Sequence, residues 1–568
     1  MTNASPSGPT HPEALCHDPN HTPRWGMVID VNRCVGCQTC TIACKHWNDT
    51  QPEVQWRRVL DVEMGSFPNV QRQFLVVGCQ HCDEPPCVPV CPTGATRQRE
   101  DGLVTMDYDV CIGCAYCAVS CPYQARTIAH EHHWYYGEET AQEDTVAHHD
   151  REGVAQKCTF CKDRVDSGLE KGLTPGFDPE ATPACSAACI AQAITFGDYN
   201  DPNSKVSKLV ADAPAFQMHE ELGTNPQIKY LYTTPAIPGR DPTDGDVDDD
   251  RMADPANPLV GQLQKFWDWR AAMNWCFGGL SSGFAVLSWV AYLFGLVPGA
   301  TLAWMNVAAA GLMGIGLFFV FLKIGRKFRF WRAISRPQTS WMTRELYVVA
   351  LFYPAVLAGL VTQHPVAYAI AGLAALAFLW CQAKILHMAR GIPAWRGKLV
   401  PWMIVATGLA EGAGLLVMTS AVVPGVASQH PAALAVALLL VVVNALLWQS
   451  YRTGAKAAGI PPLARKVIAE TTIGLHAVGH VIPTIALLLL FAFGGPFGAL
   501  VALSGGLLVI VGGFYWKFAV ITRASYQQGF AMPRMPQRGS GDRAAPPRTQ
   551  GFDKLRKDPL GPVGSAAE

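Results

Sequence analysis

Sixteen of the nineteen cysteines fall into four groups of four, all between Cys34 and Cys189. The first reads Cys34-x2-Cys37-x2-Cys40-x3-Cys44, and the third reads Cys111-x2-Cys114-x2-Cys117-x3-Cys121-Pro122. The second is a stretched version, Cys79-x2-Cys82-x4-Cys87-x3-Cys91-Pro92, and the fourth is split into Cys158-x2-Cys161 and Cys185-x3-Cys189. Compact spacing of this kind lets one loop offer three thiolates to one iron–sulfur cubane while the fourth goes to its neighbour. Four such groups imply four [4Fe–4S] clusters in pairs, which is a wire for electrons. A structural zinc site wants two cysteine pairs across a long gap. Only the fourth group could be read that way, since the others carry a third cysteine that a zinc knuckle does not need. A disulfide framework fits less well, because Met1 to Trp25 is polar and proline-rich with no apolar core and no twin arginine, so a secreted chain is not expected.

A second set of chemically capable residues lies in apolar surroundings. Glu411 sits midway along one apolar stretch, His476 and His480 share a helix face at i, i+4 in another, and Glu345 stands at the entrance of a third. Ionisable groups inside a bilayer are costly and usually have a task. One reading is a quinone pocket, where a carboxylate or imidazole bonds a quinone oxygen and carries the accompanying proton. Haem ligation by His476 and His480 is a second, although two histidines of one helix cannot take opposite faces of one iron. The plainest is polar residues bonded between packed helices.

The elements that must position these residues divide the chain sharply. Up to about residue 265 it is polar, charged and cysteine-rich; from Trp267 to about Arg523 it is dominated by Leu, Ala, Val, Gly, Phe and Trp. At 568 residues more than one domain is required. Zero net charge suggests no polyanion, and so no nucleic-acid partner. A membrane-spanning helix needs about 20 apolar residues, and eight stretches qualify: roughly 271–294, 302–322, 346–362, 366–386, 402–421, 432–449, 472–491 and 498–520. Alternate loops carry Lys323 to Arg344, Arg390 to Lys398, and Arg452 to Lys466, whereas the opposite turns have no Lys or Arg. Basic short loops stay cytoplasmic, which puts the cluster domain on that side; the same arginines could instead dock a soluble domain or a partner. The division is therefore 1–25 disordered, 26–235 cluster domain, 236–265 an acidic Pro/Gly linker, 266–530 membrane domain and 531–568 a disordered tail. The fold class is an α+β ferredoxin-like domain of two tandem 2×[4Fe–4S] modules, then an all-α domain of eight transmembrane helices. Cys16, Cys276 and Cys381 are left as a tail residue and two core thiols.

Residues 25 to about 235 resemble the four-cluster ferredoxin subunit of the dimethyl sulfoxide reductase family of membrane-bound molybdoenzymes. The carriers are Asp30-Val-Asn-Arg-Cys-Val-Gly-Cys, Cys79-Gln-His-Cys-Asp-Glu-Pro-Pro-Cys, Cys111-Ile-Gly-Cys-Ala-Tyr-Cys and Lys157-Cys-Thr-Phe-Cys-Lys-Asp-Arg. Residues 267 to about 530 resemble the eight-helix anchor of the same enzymes, through Ser340-Trp-Met-Thr-Arg-Glu345, Ile392-Pro-Ala-Trp395 and Arg523-Ala-Ser-Tyr-Gln-Gln-Gly-Phe530. Usually these are separate chains, and here they look fused. The resemblance implies one cluster on Cys34, Cys37, Cys40 and Cys189, and its pair on Cys44, Cys158, Cys161 and Cys185. It implies another on Cys79, Cys82, Cys87 and Cys121, paired with one on Cys91, Cys111, Cys114 and Cys117. Some relatives place Trp where this chain has Cys114 and lose an iron, so Cys114 argues for four full clusters.

Glu345 matches an acidic residue that the family sets near its quinone. Relatives tend to have His-Leu-Gly-x-Pro where this chain has Lys323-Ile-Gly-Arg-Lys327, and a proline where Ile190 follows Cys189. The implied function is the electron-transfer and anchor subunit of a respiratory complex in the bacterial inner membrane. It would exchange electrons between menaquinone or ubiquinone and a separate molybdopterin-containing catalytic subunit, with no molybdopterin and no substrate chemistry of its own. The same role in a sulfite, thiosulfate, tetrathionate or polysulfide oxidoreductase is an alternative. An electron-driven proton pump is another, resting on Glu411 and the histidine pair.

Overall fold

The computed structural model describes residues 15–66, 69–233, 253–423, 426, 430–493 and 498–532. Trp25–Asp30, an almost wholly buried apolar run, is an inner strand of a four-stranded sheet. It pairs in parallel with Ile228–Leu231 and antiparallel with Ile194–Asp198, setting Met27 between Ile228 and Phe196, while Ala215–Phe216 closes one edge. The antiparallel pairing has a chemical consequence. The strand ending at Asp30 leads into Cys34, and the strand starting at Ile194 follows Cys189, so the Asp30 amide bonds the Ala193 carbonyl at 2.8 Å and the first and last cysteine segments meet. A long hairpin, Arg57–Ser66 with Asn69–Gly78, sets Arg57 opposite Gly78, beside Cys79. Two short ladders, Thr96–Gln98 with Val104–Met106 and Thr127–Ile128 with Ala155–Gln156, brace the loops after the second and third cysteine groups.

This ferredoxin-type domain is followed by an all-helical region. Among the described residues eight helices are long and apolar enough to cross a membrane: Trp269–Leu293, Gly299–Lys323, Trp341–Thr362, Pro365–His387, Val400–Val422, Pro431–Gly454, Pro462–Phe491 and Gly498–Arg523. The third starts five residues before the apolar stretch, so Glu345 lies within the helix rather than at its entrance. The seventh starts at Pro462 because its first turns carry Arg465, Lys466 and Glu470, which hydropathy excludes but an amphipathic helix tolerates. A π-helical run, Leu475–Val481, interrupts it. The fifth span is central, packed on the first, fourth, sixth and eighth. Its approach to the first depends on glycine: a Cβ on Gly283 would lie 1.8 Å from the Gly408 carbonyl oxygen.

Residues 15–24, expected to be unstructured, run along the cluster domain. His21 Nε2 lies 2.6 Å from the Asp198 carboxylate and the Arg24 amide donates to it at 2.7 Å, so a polar segment is held by hydrogen bonds rather than by apolar burial. The latter part of the expected linker is also packed. Leu259 and Val260 are buried, the Phe530 amide donates to the Leu259 carbonyl at 2.8 Å, and Leu263 bridges to Tyr526. The acidic stretch up to residue 252 and the tail from 533 lie outside the described residues.

The basic loop between the second and third spans lies against the cluster domain. Arg326 donates to the carbonyls of Glu152 at 2.7 Å and His149 at 2.6 Å, Arg329 to Tyr108 at 2.8 Å, and Arg332 to Asp109. Docking therefore accounts for three of the arginines that also mark this side of the bundle.

Candidate electron-transfer path

Three cysteine groups begin with a loop that turns back on itself before a short helix. Gly36 and Gly113, each between two cysteines, have φ of +68° and +71°, and a Cβ on Gly113 would lie 1.9 Å from the Gly153 carbonyl oxygen. The residues that enter the helices, Gln38, Ala115 and Cys161, also take positive φ. Each loop thus curls its sulfurs inward.

The sixteen cysteines converge as four quartets. Cys91, Cys111, Cys114 and Cys117 line one cavity, and Cys79, Cys82, Cys87 and Cys121 line another. Cys44 lies near Cys158, Cys185 and Cys161, and Cys34 near Cys189 and Cys37, with Cys40 beside Cys34. The quartets adjoin in one order. Cys40 neighbours Cys185, Cys158 neighbours Cys79, and Cys117 neighbours Cys87. The row begins at Cys37, which is exposed, and ends at Cys114, which is packed on the membrane helices.

Donors suited to sulfide and thiolate surround the row. Backbone amides point at the sulfurs of Cys91, Cys111 and Cys158 at 3.4 Å each and of Cys189 at 3.2 Å. Asn48 donates to Cys44 Sγ at 3.7 Å, and the Cys37 sulfur lies 3.2 Å from the Thr39 hydroxyl. Such bonds to sulfur tune cluster potential. Thiols gathered in quartets, twelve of the sixteen buried, with N–H groups aimed at them have the donor chemistry of an iron–sulfur site, and no disulfide joins any of them.

Four buried basic residues, none of which the cysteine spacing singles out, stand along this row. Arg126 donates to Cys87 Sγ at 3.1 Å and to the Thr96 hydroxyl at 3.2 Å. Arg57 reaches Met27 Sδ at 3.3 Å and Cys185 Sγ at 3.8 Å. Burial opposes the charge of each guanidinium, but the surrounding sulfurs outweigh it and raise both pKa values above the ordinary range. Lys157 is fully buried on the carbonyls of Val104 and, at 2.6 Å, of Cys158. His81 accepts from the Val104 amide at Nδ1, 3.1 Å, and so carries its proton on Nε2, which donates to the Cys158 carbonyl at 3.1 Å. Burial, with Lys157 and Arg57 nearby, drives its pKa down and keeps it neutral. His81 and Lys157 lie inside the Cys-Gln-His-Cys and Lys-Cys-Thr-Phe-Cys stretches, so their place in those motifs could have found them; Arg57 and Arg126 have no such signal.

At the membrane end, Trp267 Nε1 donates to the Cys114 carbonyl at 3.1 Å and the Tyr116 hydroxyl to the Ile385 carbonyl at 2.8 Å. Ser340 and Thr343, in the turn before Glu345, donate to the carbonyls of Val90 and Pro92 at 3.0 and 3.3 Å. Glu345 is buried, near enough to Tyr116 and Cys381 to act on both electrostatically, and its Oε1 has no hydrogen-bond partner among the described residues. Lys323, in the segment that departs from the family's histidine, is buried near Cys114 and Asp268.

The other membrane candidates lie elsewhere in the bundle. Glu411 is fully buried and bound by Lys517, Nζ to Oε2 at 2.7 Å, while Lys517 also donates to the Trp275 carbonyl at 2.9 Å. Lys517 was missed because it sits near the end of an apolar stretch, where a lysine normally reaches the interface. His476 and His480 face each other, Nδ1 to Nδ1 at 3.1 Å, on the π-helical run. His480 lines a small cavity with Thr407, Asn444 and Trp516. The third span packs on the second and fourth, so Glu345 stands apart from this group.

A ferredoxin-type domain with cysteine quartets, carried on a helical membrane domain, defines a membrane-bound iron–sulfur protein. Residues 70–136 match the 4Fe-4S dicluster domain family, and residues 300–455 match the DMSO reductase anchor subunit family. The chain is 40% identical to a selenate reductase subunit of Mesobacillus selenatarsenatis over 37% of this chain and 72% of that protein. It is 36% identical to a protein of Halobacterium salinarum named as a dimethyl sulfoxide reductase iron–sulfur subunit, over 43% of this chain and 94% of the relative. A sulfite dehydrogenase subunit of Allochromatium vinosum is 40% identical over 36% of this chain and 81% of its own length. The chain belongs to the dimethyl sulfoxide reductase-type iron–sulfur subunits, with a domain of the anchor family on the same polypeptide.

Proposed function

We propose that this chain relays electrons between a quinone bound beside Glu345 and a separate molybdenum-containing catalytic subunit, through four [4Fe–4S] clusters held as two tandem pairs. The observation that carries this reading is the continuous row of quartets from exposed Cys37 to Cys114, with the unpaired carboxylate oxygen of Glu345 just beyond it. The clusters, when bound, take up and pass on single electrons. Each quinol gives up two electrons and two protons, and Glu345 accepts the proton that accompanies each electron and passes it on before the next, a role open to a carboxylate with a free oxygen atom. The exposed end offers Val35, Ile42 and Ile190 around Cys37, an apolar rim on which the catalytic subunit docks. The terminal acceptor belongs to that subunit, and subunits of reductases and of a sulfite dehydrogenase both stand among the relatives.

The cluster domain faces the cytoplasm in this reading. Its support is the basic loop between the sixth and seventh spans, with Arg452, Lys456, Arg465 and Lys466, against the uncharged opposite turns. The test is Glu345→Gln in native membranes. Reduction of the clusters by quinol should fall at least tenfold while reduction by dithionite is unchanged. Unchanged quinol-driven reduction would place the quinone elsewhere. A co-purifying protein that contains molybdenum is expected from the same membranes.

A further inference from the structure

Between the third and fourth cysteine groups runs Ala129-His-Glu-His-His-Trp-Tyr-Tyr, followed after a short acidic helix by His148-His-Asp-Arg-Glu152. Neither the clusters nor the quinone reading uses these side chains. His149–Arg151 forms a 3₁₀ turn, and in that geometry residues three apart eclipse, so His149 and Glu152 project together. His149 Nδ1 lies 2.7 Å from Glu152 Oε1, and His132 Nδ1 lies 3.7 Å from the same oxygen. One donor atom from each of the three residues falls within 4.8 Å of the others.

We propose that His132, His149 and Glu152 bind one divalent transition-metal ion of the zinc class. Zinc bonds nitrogen and carboxylate oxygen at about 2.0–2.2 Å, which at tetrahedral angles sets donor atoms roughly 3.4 Å apart, and the two observed separations bracket that spacing. Two imidazoles and a carboxylate are the ligand types zinc takes, and the partial exposure of the group leaves a fourth position for water.

Two further features mark a built site. The second nitrogen of His149 faces Asp144 Oδ1 at 3.6 Å, the outer carboxylate that commonly orients a metal-bound imidazole. The His132 ring packs on Trp134 with centroids 4.1 Å apart, which fixes its plane. The backbone is also held, because the carbonyls of His149 and Glu152 both accept from Arg326 of the membrane domain. The Arg326 amide in turn bonds the Ile112 carbonyl at 3.0 Å, inside the Cys111–Cys114 loop. A metal here rivets the connecting segment to the joint between the last quartet and the membrane helices.

The test is equilibrium dialysis of the detergent-solubilised full chain against low-micromolar zinc chloride, after EDTA treatment that leaves cluster absorbance intact, with metal read by mass spectrometry. One zinc per chain is expected in the wild type. It should be lost in His149→Ala and in Glu152→Gln and kept in His148→Ala, with iron content equal in all four. No zinc on the wild type, zinc retained by both ligand variants, or equal loss in His148→Ala would overturn the assignment.

Discussion

The indole N–H of Trp267 is bonded to the carbonyl oxygen of Cys114 at 3.1 Å, so the last cysteine loop and the start of the membrane domain touch with no layer between them. Trp267 also stacks on Trp395 and packs on Tyr116 and Trp275, with ring centroids 5.2 to 5.6 Å apart. Four aromatic rings therefore fill the joint. Water is kept out of the region where electrons leave the membrane domain in the proposed relay.

Trp267→Phe should remove the hydrogen bond and keep most of the packing, at a cost of about 1 kcal/mol. Trp267→Ala should cost about 3–5 kcal/mol, because it also opens a cavity at the joint. Thermal unfolding of the solubilised protein checks the order. Slower quinol-driven reduction is expected in the alanine variant, with the iron content of both variants unchanged.

Arg126 brings a positive charge and a donor to Cys87, which lies near Cys117 of the last quartet. Reduction adds negative charge to a cluster, and a charged donor favours the reduced form. Arg126→Gln should therefore lower the potential of the cluster proposed on Cys79, Cys82, Cys87 and Cys121. A shift on the order of 60 mV, tenfold in a one-electron equilibrium, is expected. Redox titration followed by electron paramagnetic resonance reads it; a potential that stays put or rises would mean that Arg126 only packs the core.

How much of this was legible from residues alone follows from how local each signal is. Cysteine spacing is local, and it marked all sixteen sulfurs. Eight apolar stretches were equally plain, but hydropathy trimmed the charged first turns of the seventh helix and set Glu345 at an edge instead of inside the third. The packing of residues 15–24 on Asp198 was invisible, because it rests on a partner more than 170 positions away in sequence. Arg57 carries no local signal either, since it is explained by Cys185, 128 positions away, and the place of Lys517 near the end of an apolar stretch hides its pairing with Glu411, 106 positions away. Charge alone leaves the loop arginines open to two roles, topology marks and docking groups, and Arg326, Arg329 and Arg332 do dock.

Glu411 and Lys517 form an ion pair with both side chains fully buried. Removing one partner strands the other charge, and breaking such a pair costs about 3–5 kcal/mol. Glu411→Gln should therefore lower the unfolding temperature clearly, and Glu411→Gln with Lys517→Met should recover much of the loss. Quinol-driven cluster reduction is expected to persist in the double variant. Loss of proton translocation with turnover preserved in that variant would instead favour the proton-pump reading.

Ile190 is 71% exposed immediately after Cys189, and Val35 is 58% exposed immediately after Cys34. Two apolar side chains left open beside sulfurs of the outermost quartet make sense if another protein covers them. Ile190→Glu puts a charge at the centre of that contact, where burying it without a partner is costly. The amount of molybdenum-containing protein that co-purifies should fall at least tenfold, with cluster content and quinol-driven reduction of the isolated chain unchanged. Co-purification at the wild-type level would move the docking face away from Cys34 and Cys189, and the path would then have to leave the chain at another quartet.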